Sequence, residues 1–241
     1  MSGWSLVQHV HTRHSFDSLT EPRLLVERAE ALGIDVLAVT DHGTWRGATE
    51  ARECARDAGL RLHVILAAEY ATDQGDVIGL FLEREHAERS ADGLCDAINA
   101  RGGLTLLPHP YRWHRLDEGL LSRIDLIEVH NGRTPHADNE RAAELACERG
   151  RPGLVGPDAH RVGELWLARN LFEGERPADE EALKHALLHA PRRFEIERSS
   201  RWNEWLSEGV KLARRPSARG AWYLVRGALR RILKRGEYRL G

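Results

Sequence analysis

Leu6-Val7-Gln8-His9-Val10-His11 is an apolar run that closes on two histidines one residue apart. In an extended strand the side chains at i and i+2 lie on one face, so both imidazoles are expected to point the same way. Two imidazoles on one face at a strand end make half of a metal site, to be completed by carboxylates from elsewhere. His-x-His pairs also occur as incidental surface or core residues, so the rest of the chain decides the reading.

Outward from this stretch, short apolar runs alternate with longer amphipathic ones, the pattern of repeated strand-helix units. Residues 35–40 form a buried strand that ends at Asp41-His42-Gly43, and residues 62–68 form another that ends at Glu69. Turn residues 72–76 return the chain through residues 77–82 as a hairpin. Strands over 104–107, 125–129 and 154–156 end at Pro108-His109-Pro110, His130-Asn131 and Pro157-Asp158-Ala159-His160, and a last strand covers 193–197. Helices are expected from a Thr20 cap to Gly33 and over 46–58, 91–100, 117–122, 137–149 and 178–189.

His9, His11, His42, Glu69, His109, His130, Asp158 and His160 thus each lie at or just past the C-terminal end of a predicted strand. In barrels of parallel strands ringed by helices these ends converge on one face, where active sites are built. Imidazole and carboxylate without thiolate suit zinc, manganese or iron without selecting among them. Glu69 is the natural bridging carboxylate, since one such side chain holds two cations about 3.5–4 Å apart. His63, His86, His136, His185 and His189 fall where helix surfaces are expected and are read as structural.

The 241 residues suit one large α/β domain with an appendage, and 41% hydrophobic with 30% charged residues is a soluble composition. From Arg198 onward there are 12 Lys and Arg against 3 Asp and Glu; before it the balance is 23 against 34. An acidic body, residues 1–199, and a basic extension, residues 200–241, imply two different jobs. Cys54, Cys95 and Cys147 read as small buried hydrophobes of a reducing compartment. No run approaches the roughly 20 apolar residues of a membrane span and no leader pattern is present, so a cytoplasmic location is expected.

In order, His9-Val10-His11-Thr12, Thr40-Asp41-His42-Gly43, Ala68-Glu69, Pro108-His109-Pro110, Glu128-Val129-His130-Asn131 and Pro157-Asp158-Ala159-His160 resemble the PHP (polymerase and histidinol phosphatase) superfamily over about residues 5–197. The resemblance implies a distorted (β/α)7 TIM-like barrel holding two to three divalent metal ions. It places His9, His11, Glu69 and Asp158 on a first metal, with Glu69 bridging to a second completed by His109 and His130. A third would take His42, His160 and Asp17, a position where relatives have histidine or aspartate. Ala68 and Pro157 stand where many relatives have Gly and Ser; neither change removes a ligand.

Such a site activates water, because cations depress its pKa from ~16 to about 7 and take up the charge of an attacked phosphoryl group. The expected activity is therefore hydrolysis of a phosphate ester by a hydroxide held in a di- or trinuclear site, with Glu69 and Asp158 central. Asp41 is expected to orient an imidazole or to donate a proton to the leaving group. Arg112 and Arg161 are candidate phosphate clamps, with ordinary rim arginines as the alternative. His14 and His114, and the aromatics Trp45, Tyr111 and Trp113, lie near the expected mouth. A small phosphorylated substrate and a short oligonucleotide both fit, the latter making the protein an exonuclease-type phosphodiesterase; a noncatalytic binding module of the same fold is the other alternative.

Beyond Ser199, Trp202, Trp205, Leu206 and Val210 make one apolar stripe at helical spacing, and Trp222, Val225, Leu229, Ile232 and Leu233 make a second. Arg226, Arg230, Arg231, Lys234 and Arg235 oppose the second stripe. A basic amphipathic helix fits an anionic membrane surface or a nucleic-acid backbone. Docking of both stripes on the barrel or in a homodimer is the alternative, and the oligomeric state is left open.

Overall fold

In the computed structural model, residues 3–197 and 201–216 are described. The opening run forms β1 (Gly3–Val10), followed by α1 (Pro22–Ala31), β2 (Val36–Val39), α2 (Arg46–Asp57), β3 (His63–Thr72) and β4 (Gly75–Leu80). Then come α3 (Ala91–Asn99), β5 (Leu104–Leu107), α4 (Glu118–Arg123), β6 (Leu126–Asn131), α5 (His136–Glu148) and β7 (Gly153–Gly156). The chain continues through β8 (Ala168–Glu173), α6 (Glu180–His189), β9 (Arg192–Ile196) and α7 (Arg201–Arg214).

The strands hydrogen-bond in the order β7-β6-β5-β4-β3-β2-β1-β8-β9. β1, β2 and β3 are parallel, as are β5, β6 and β7, while β4 runs antiparallel between the two sets as the expected hairpin. The sheet curls until its β7 side meets β1: the His11 amide donates to the Ala159 carbonyl (2.8 Å) and the Ala159 amide to the His9 carbonyl (3.1 Å). Lower down, the gap between β7 and β8 is filled by the buried Asn170 amide. It accepts from the Val155 N–H (2.9 Å) and donates to the Val155 carbonyl (2.8 Å), doing the work of a peptide group. The result is the nearly closed, distorted α/β barrel that the motif order implied.

β8 is a strand that the apolar pattern does not announce. Arg169 and Asn170 break its hydrophobic run, and Asn170 is inside because it seals the barrel rather than because it is apolar. Alternate residues of the strands fill the interior, with Leu6, Ala38, Ile65, Leu80, Leu106 and Leu154 in one cluster and Val7, Val10, Leu37 and Val64 facing α1 and α2 in another. Truncating any one such leucine to alanine costs about 2–5 kcal/mol. Trp4 stacks on Phe172 (4.1 Å between ring centroids) at the start of β1, the end of the barrel away from the histidines.

Three local expectations change. Glu21, not Thr20, precedes the first turn of α1, and the Thr20 hydroxyl instead donates to the His160 carbonyl (3.1 Å). Cys147 is exposed, while Cys95 is buried and Cys54 half-buried. His86 lies on the loop after β4 and His63 begins β3, neither on a helix surface, with His86 buried against Tyr70. The second apolar stripe of the extension, with its arginines, lies outside the described residues, as do the side chains of Trp202 and Trp205. Among the described residues no helix is long and apolar enough to cross a membrane.

Candidate metal centre

Two irregular strand ends build the site. β1 shifts register between Val7 and Val10, and His9 at the shift takes a left-handed backbone (φ 62°). Val7 and Val10 pack toward the helices, which leaves Gln8, His9 and His11 all reaching inward. Both imidazoles do meet, through a bulge rather than through plain alternation. His109 (φ 30°) and Asp158 (φ 51°) are also left-handed, so three of the candidate ligands hold conformations that cost about 1–3 kcal/mol each. Neighbouring groups hold them there: the His109 N–H donates to Glu128 (2.9 Å), and the Asp158 carbonyl accepts from Arg133 Nε (2.6 Å).

Glu69 lies at the centre of the cluster, 1% exposed. Its Oε1 faces His109 Nε2 (3.2 Å) and His9 Nε2 (3.5 Å), while Oε2 faces His42 Nδ1 (3.1 Å) and His11 Nε2 (3.6 Å). Asp158 Oδ1 lies 3.7 Å from His9 Nε2 and 3.5 Å from His11 Nε2. On the far side Asp17 Oδ2 lies 3.3 Å from His42 Nε2 and 3.1 Å from His160 Nε2. Three overlapping groups of donor atoms result: His9 with Glu69 and His109, His9 with His11 and Asp158, and His11 with Asp17, His42 and His160.

The outer nitrogens of three of these rings are tied down. Glu128 meets His9 Nδ1 at 2.9 Å, the Ser15 hydroxyl meets His11 Nδ1 at 3.2 Å, and the Asp158 carbonyl meets His160 Nδ1 at 2.9 Å. Ser15 in turn donates to Asp41 (2.8 Å), which also accepts from the Thr12 N–H and hydroxyl, both at 2.6 Å. Asp41 therefore orients the loop under His11 and does not line the cleft. Gly156 is a glycine because a Cβ there would meet the Glu128 carboxylate and the Gln8 amide.

Whether this cluster suits cations can be tested on its unsatisfied atoms. Of nine buried side-chain polar atoms without a hydrogen-bond partner among the described residues, five belong here: His9 Nε2, His11 Nε2, Asp17 Oδ1, Glu69 Oε2 and His109 Nδ1. Buried polar groups are normally paired, so orphaned imidazole nitrogens beside orphaned carboxylate oxygens form a donor set fitted to divalent ions. The charges agree. Burial opposes the ionised forms of Glu69 and Asp158, yet the facing imidazoles hold both carboxyls well below the usual range. His42 is pushed up to about 9 because Glu69 and Asp17 outweigh its burial, and His9 is raised because Glu128, Asp158 and Glu69 outweigh its own. His11 is lowered to about 4 by burial, with His160 and His42 adding to it.

One expected ligand stays outside. β6 shifts register between Glu128 and His130, which turns Glu128 and Asn131 inward and leaves the His130 ring against α5, where Nδ1 accepts from Asn139 (3.1 Å). Asn131 donates to Glu128 (2.9 Å) and to Asp158 (3.3 Å). The donor group that the resemblance would complete with His130 contains His9, Glu69 and His109 instead.

The cluster opens into a cleft of about 590 Å³ lined also by Phe16, Asp76, His86, Arg112 and Arg133. Arg112 Nη1 is 4.0 Å from Asp158 Oδ2. Arg161 does not line the cleft; its N–H donates to Glu164 (3.0 Å). Arg133, which sequence reading passed over, takes the inner place, 7% exposed, and also pairs with Glu164 (3.2 Å). His14 bonds Glu50 (2.7 Å), and His114 bonds the Asp76 carbonyl (2.8 Å), so both brace loops at the rim. The signal for Glu128 and Asn131 was in the quoted motif; nothing in the spacing marked Arg133 over Arg161.

The PHP domain family model matches residues 8–198. The chain belongs to the PHP domain family. It is 35% identical over 114 residues to uncharacterized protein MJ1587 of Methanocaldococcus jannaschii, covering 43% of this chain and 66% of that protein. It is 36% identical over 87 residues to a 5'-3' exoribonuclease of Haemophilus influenzae, covering 34% of this chain and 31% of the enzyme. These matches span less than two thirds of the curated relatives' lengths. A solved structure of a two-domain protein from Bacteroides vulgatus, containing a predicted PHP-like metal-dependent phosphoesterase, superposes with a TM-score of 0.66 at 17% identity. That match covers 81% of this chain and 65% of the other.

Proposed function

We propose that this protein is a metal-dependent phosphoesterase whose site holds two to three divalent cations, of zinc, manganese or iron. The observation that carries the reading is Glu69, whose two oxygens face two different sets of imidazoles in one buried cluster at the floor of an open cleft. His9, His11, Glu69 and Asp158 would hold one cation, Glu69 and His109 a neighbouring one, and Asp17, His42 and His160 a third. When bound, divalent cations supply Lewis acidity and lower the pKa of coordinated water.

The chain's own residues do the rest. An ionised Glu128 accepts a hydrogen bond from the Nδ1–H of His9 and so turns the Nε2 lone pair inward, as the Ser15 oxygen does for His11. Arg112, with 39% of its side chain exposed beside Asp158, presents a guanidinium fork to the oxygens of a phosphoryl group. Arg133 positions Asp158 through its carbonyl. The clustered donor set, with orphaned atoms buried inside it, disfavours a noncatalytic module.

A phosphodiesterase acting on short nucleic acid is the second reading, favoured by the similarity to a 5'-3' exoribonuclease. A screen of phosphorylated metabolites and short oligonucleotides with the metal-loaded protein tests both. Phosphate release from monoesters, lost in Glu69→Gln, is the result expected; release of mononucleotides from oligomers alone would favour the second reading. Fewer than two metal equivalents with no turnover would overturn both.

A further inference from the structure

β1, β2, β5 and β6 are each followed by a helix, α1, α2, α4 and α5, whereas β7 is followed only by a single turn of 3-10 helix (Val162–Glu164) before β8 begins. Beside α5 there is instead an open groove of about 780 Å³. Val129 and Val155 line it from β6 and β7, Ala143 from α5, and Phe194 and Ile196 from β9, the edge strand of the sheet. Phe194 and Ile196 share one face of β9 and are 41% and 45% exposed, an apolar patch that water leaves unpaired. Acidic groups stand at both margins, Glu140 on α5 and Glu197 just past β9.

The extension carries a segment of matching size and chemistry. Trp222, Val225, Leu229, Ile232 and Leu233 recur at helical spacing, and residues 222–233 as a helix would be about 18 Å long, close to the length of α5 (13 residues). At about 100° per residue, Arg226 and Arg230 fall beside that stripe on one side and Arg235 on the other. A helix laid stripe-down in the groove would thus set cations against both acidic margins.

α7 fixes where this segment sets out. Glu197 lines the groove and Arg201 opens α7, which lies across the mouth of the metal cleft. Arg133 Nη2 donates to the buried Ser207 hydroxyl (3.0 Å), and Arg214 Nη1 donates to the Ser15 (2.6 Å) and Arg13 (3.2 Å) carbonyls, so the helix is tied down in its middle and at its end. With 14 residues, α7 ends about 21 Å from its start. Pro216 does not extend it, and residues 215–221 can span up to about 25 Å, enough to bring Trp222 back to the level of Glu197.

We propose that residues 222–233 dock as a helix in the groove between α5 and β9, apolar stripe inward, in the place of the helix that β7 lacks. Asn139 lines the same groove and holds both His130 and Asn131 by hydrogen bonds. The docked segment therefore covers the outer end of the polar contacts that lead through Asn131 to Glu128 and Asp158. Docking is independent of the chemistry at the metal centre.

The test is the rate at which N-ethylmaleimide alkylates Ala143→Cys, a position exposed on α5, in a Cys147→Ser background with the modified peptide read by mass spectrometry. The full chain is expected to react at least about tenfold more slowly than the same protein ended after Pro216, as for a site open in a tenth of the molecules or fewer. Leu229→Glu, which leaves residues 1–216 untouched, is expected to bring the full chain to the rate of the shortened one, and R226E/R230E part of the way. Equal rates in the full and shortened chains overturn the proposal, as does shielding that Leu229→Glu leaves in place. Shielding that fades on dilution, together with a dimer seen by light scattering, means that the segment comes from a second copy and overturns it too.

Discussion

The ends of β1 and β6 carry almost the same message in sequence and opposite ones in space. Both offer histidines after an apolar run, and both shift register at that point. At β1 the extra residue lets Gln8, His9 and His11 all reach the interior. At β6 it sends Glu128 and Asn131 in and His130 out toward Asn139. A bulge inserts one residue and so reverses the parity of everything after it. What a strand end contributes is therefore decided by where the bulge falls, not by which residue has metal-binding chemistry.

The two ends are joined chiefly through Glu128, which meets His9 and Gln8, and the predictions follow from it. The largest effect belongs to the residue both ends serve. Glu69→Gln keeps the shape but removes the charge between the imidazole sets, and kcat should fall about 10³-fold or more in a hydrolysis assay. Retention of full activity would remove Glu69 from the chemistry. Glu128→Gln should reduce metal affinity or activity about 10- to 100-fold, the usual cost of losing a carboxylate behind a metal-ligating histidine. An unchanged metal titration would mean that the β6 end does not support the β1 end.

Acidity separates the same residues. In the metal-free protein His9 is raised and His42 is pushed up to about 9, so both hold protons at pH 7 that a cation must displace; His130 is lowered by burial and holds none to release. Metal uptake should release protons, and apparent affinity should drop about tenfold per pH unit per proton displaced as pH falls. Calorimetry in buffers of different ionisation enthalpy reads this directly; uptake without proton release would contradict it. The smallest effect is expected for His130→Ala, with metal content and turnover within about twofold of the parent, because its loss is a half-buried contact with α5.

The barrel and most of its centre were legible because the evidence was positional: metal-binding side chains at successive strand ends have few other arrangements. Parity was not legible, since backbone bulges leave no mark in residue type, and His9, His109 and Asp158 are not the glycines that a left-handed backbone usually announces. Asn170 and Arg133 were missed for a related reason. Each is polar and buried because of a partner far away in sequence, Val155 and Leu6 for one, Asp158 and Ser207 for the other. The position of α7 at the mouth likewise depends on long-range hydrogen bonds that no periodicity reveals.

Anomalous diffraction from crystals of the manganese-loaded protein tests the central claim most directly, because it shows which nitrogens and oxygens bear the metal. The account predicts at least two peaks sharing Glu69, one beside His9, His11 and Asp158 and one beside His109, with His130 still paired to Asn139. A peak coordinated by His130, or peaks that do not share Glu69, would contradict it.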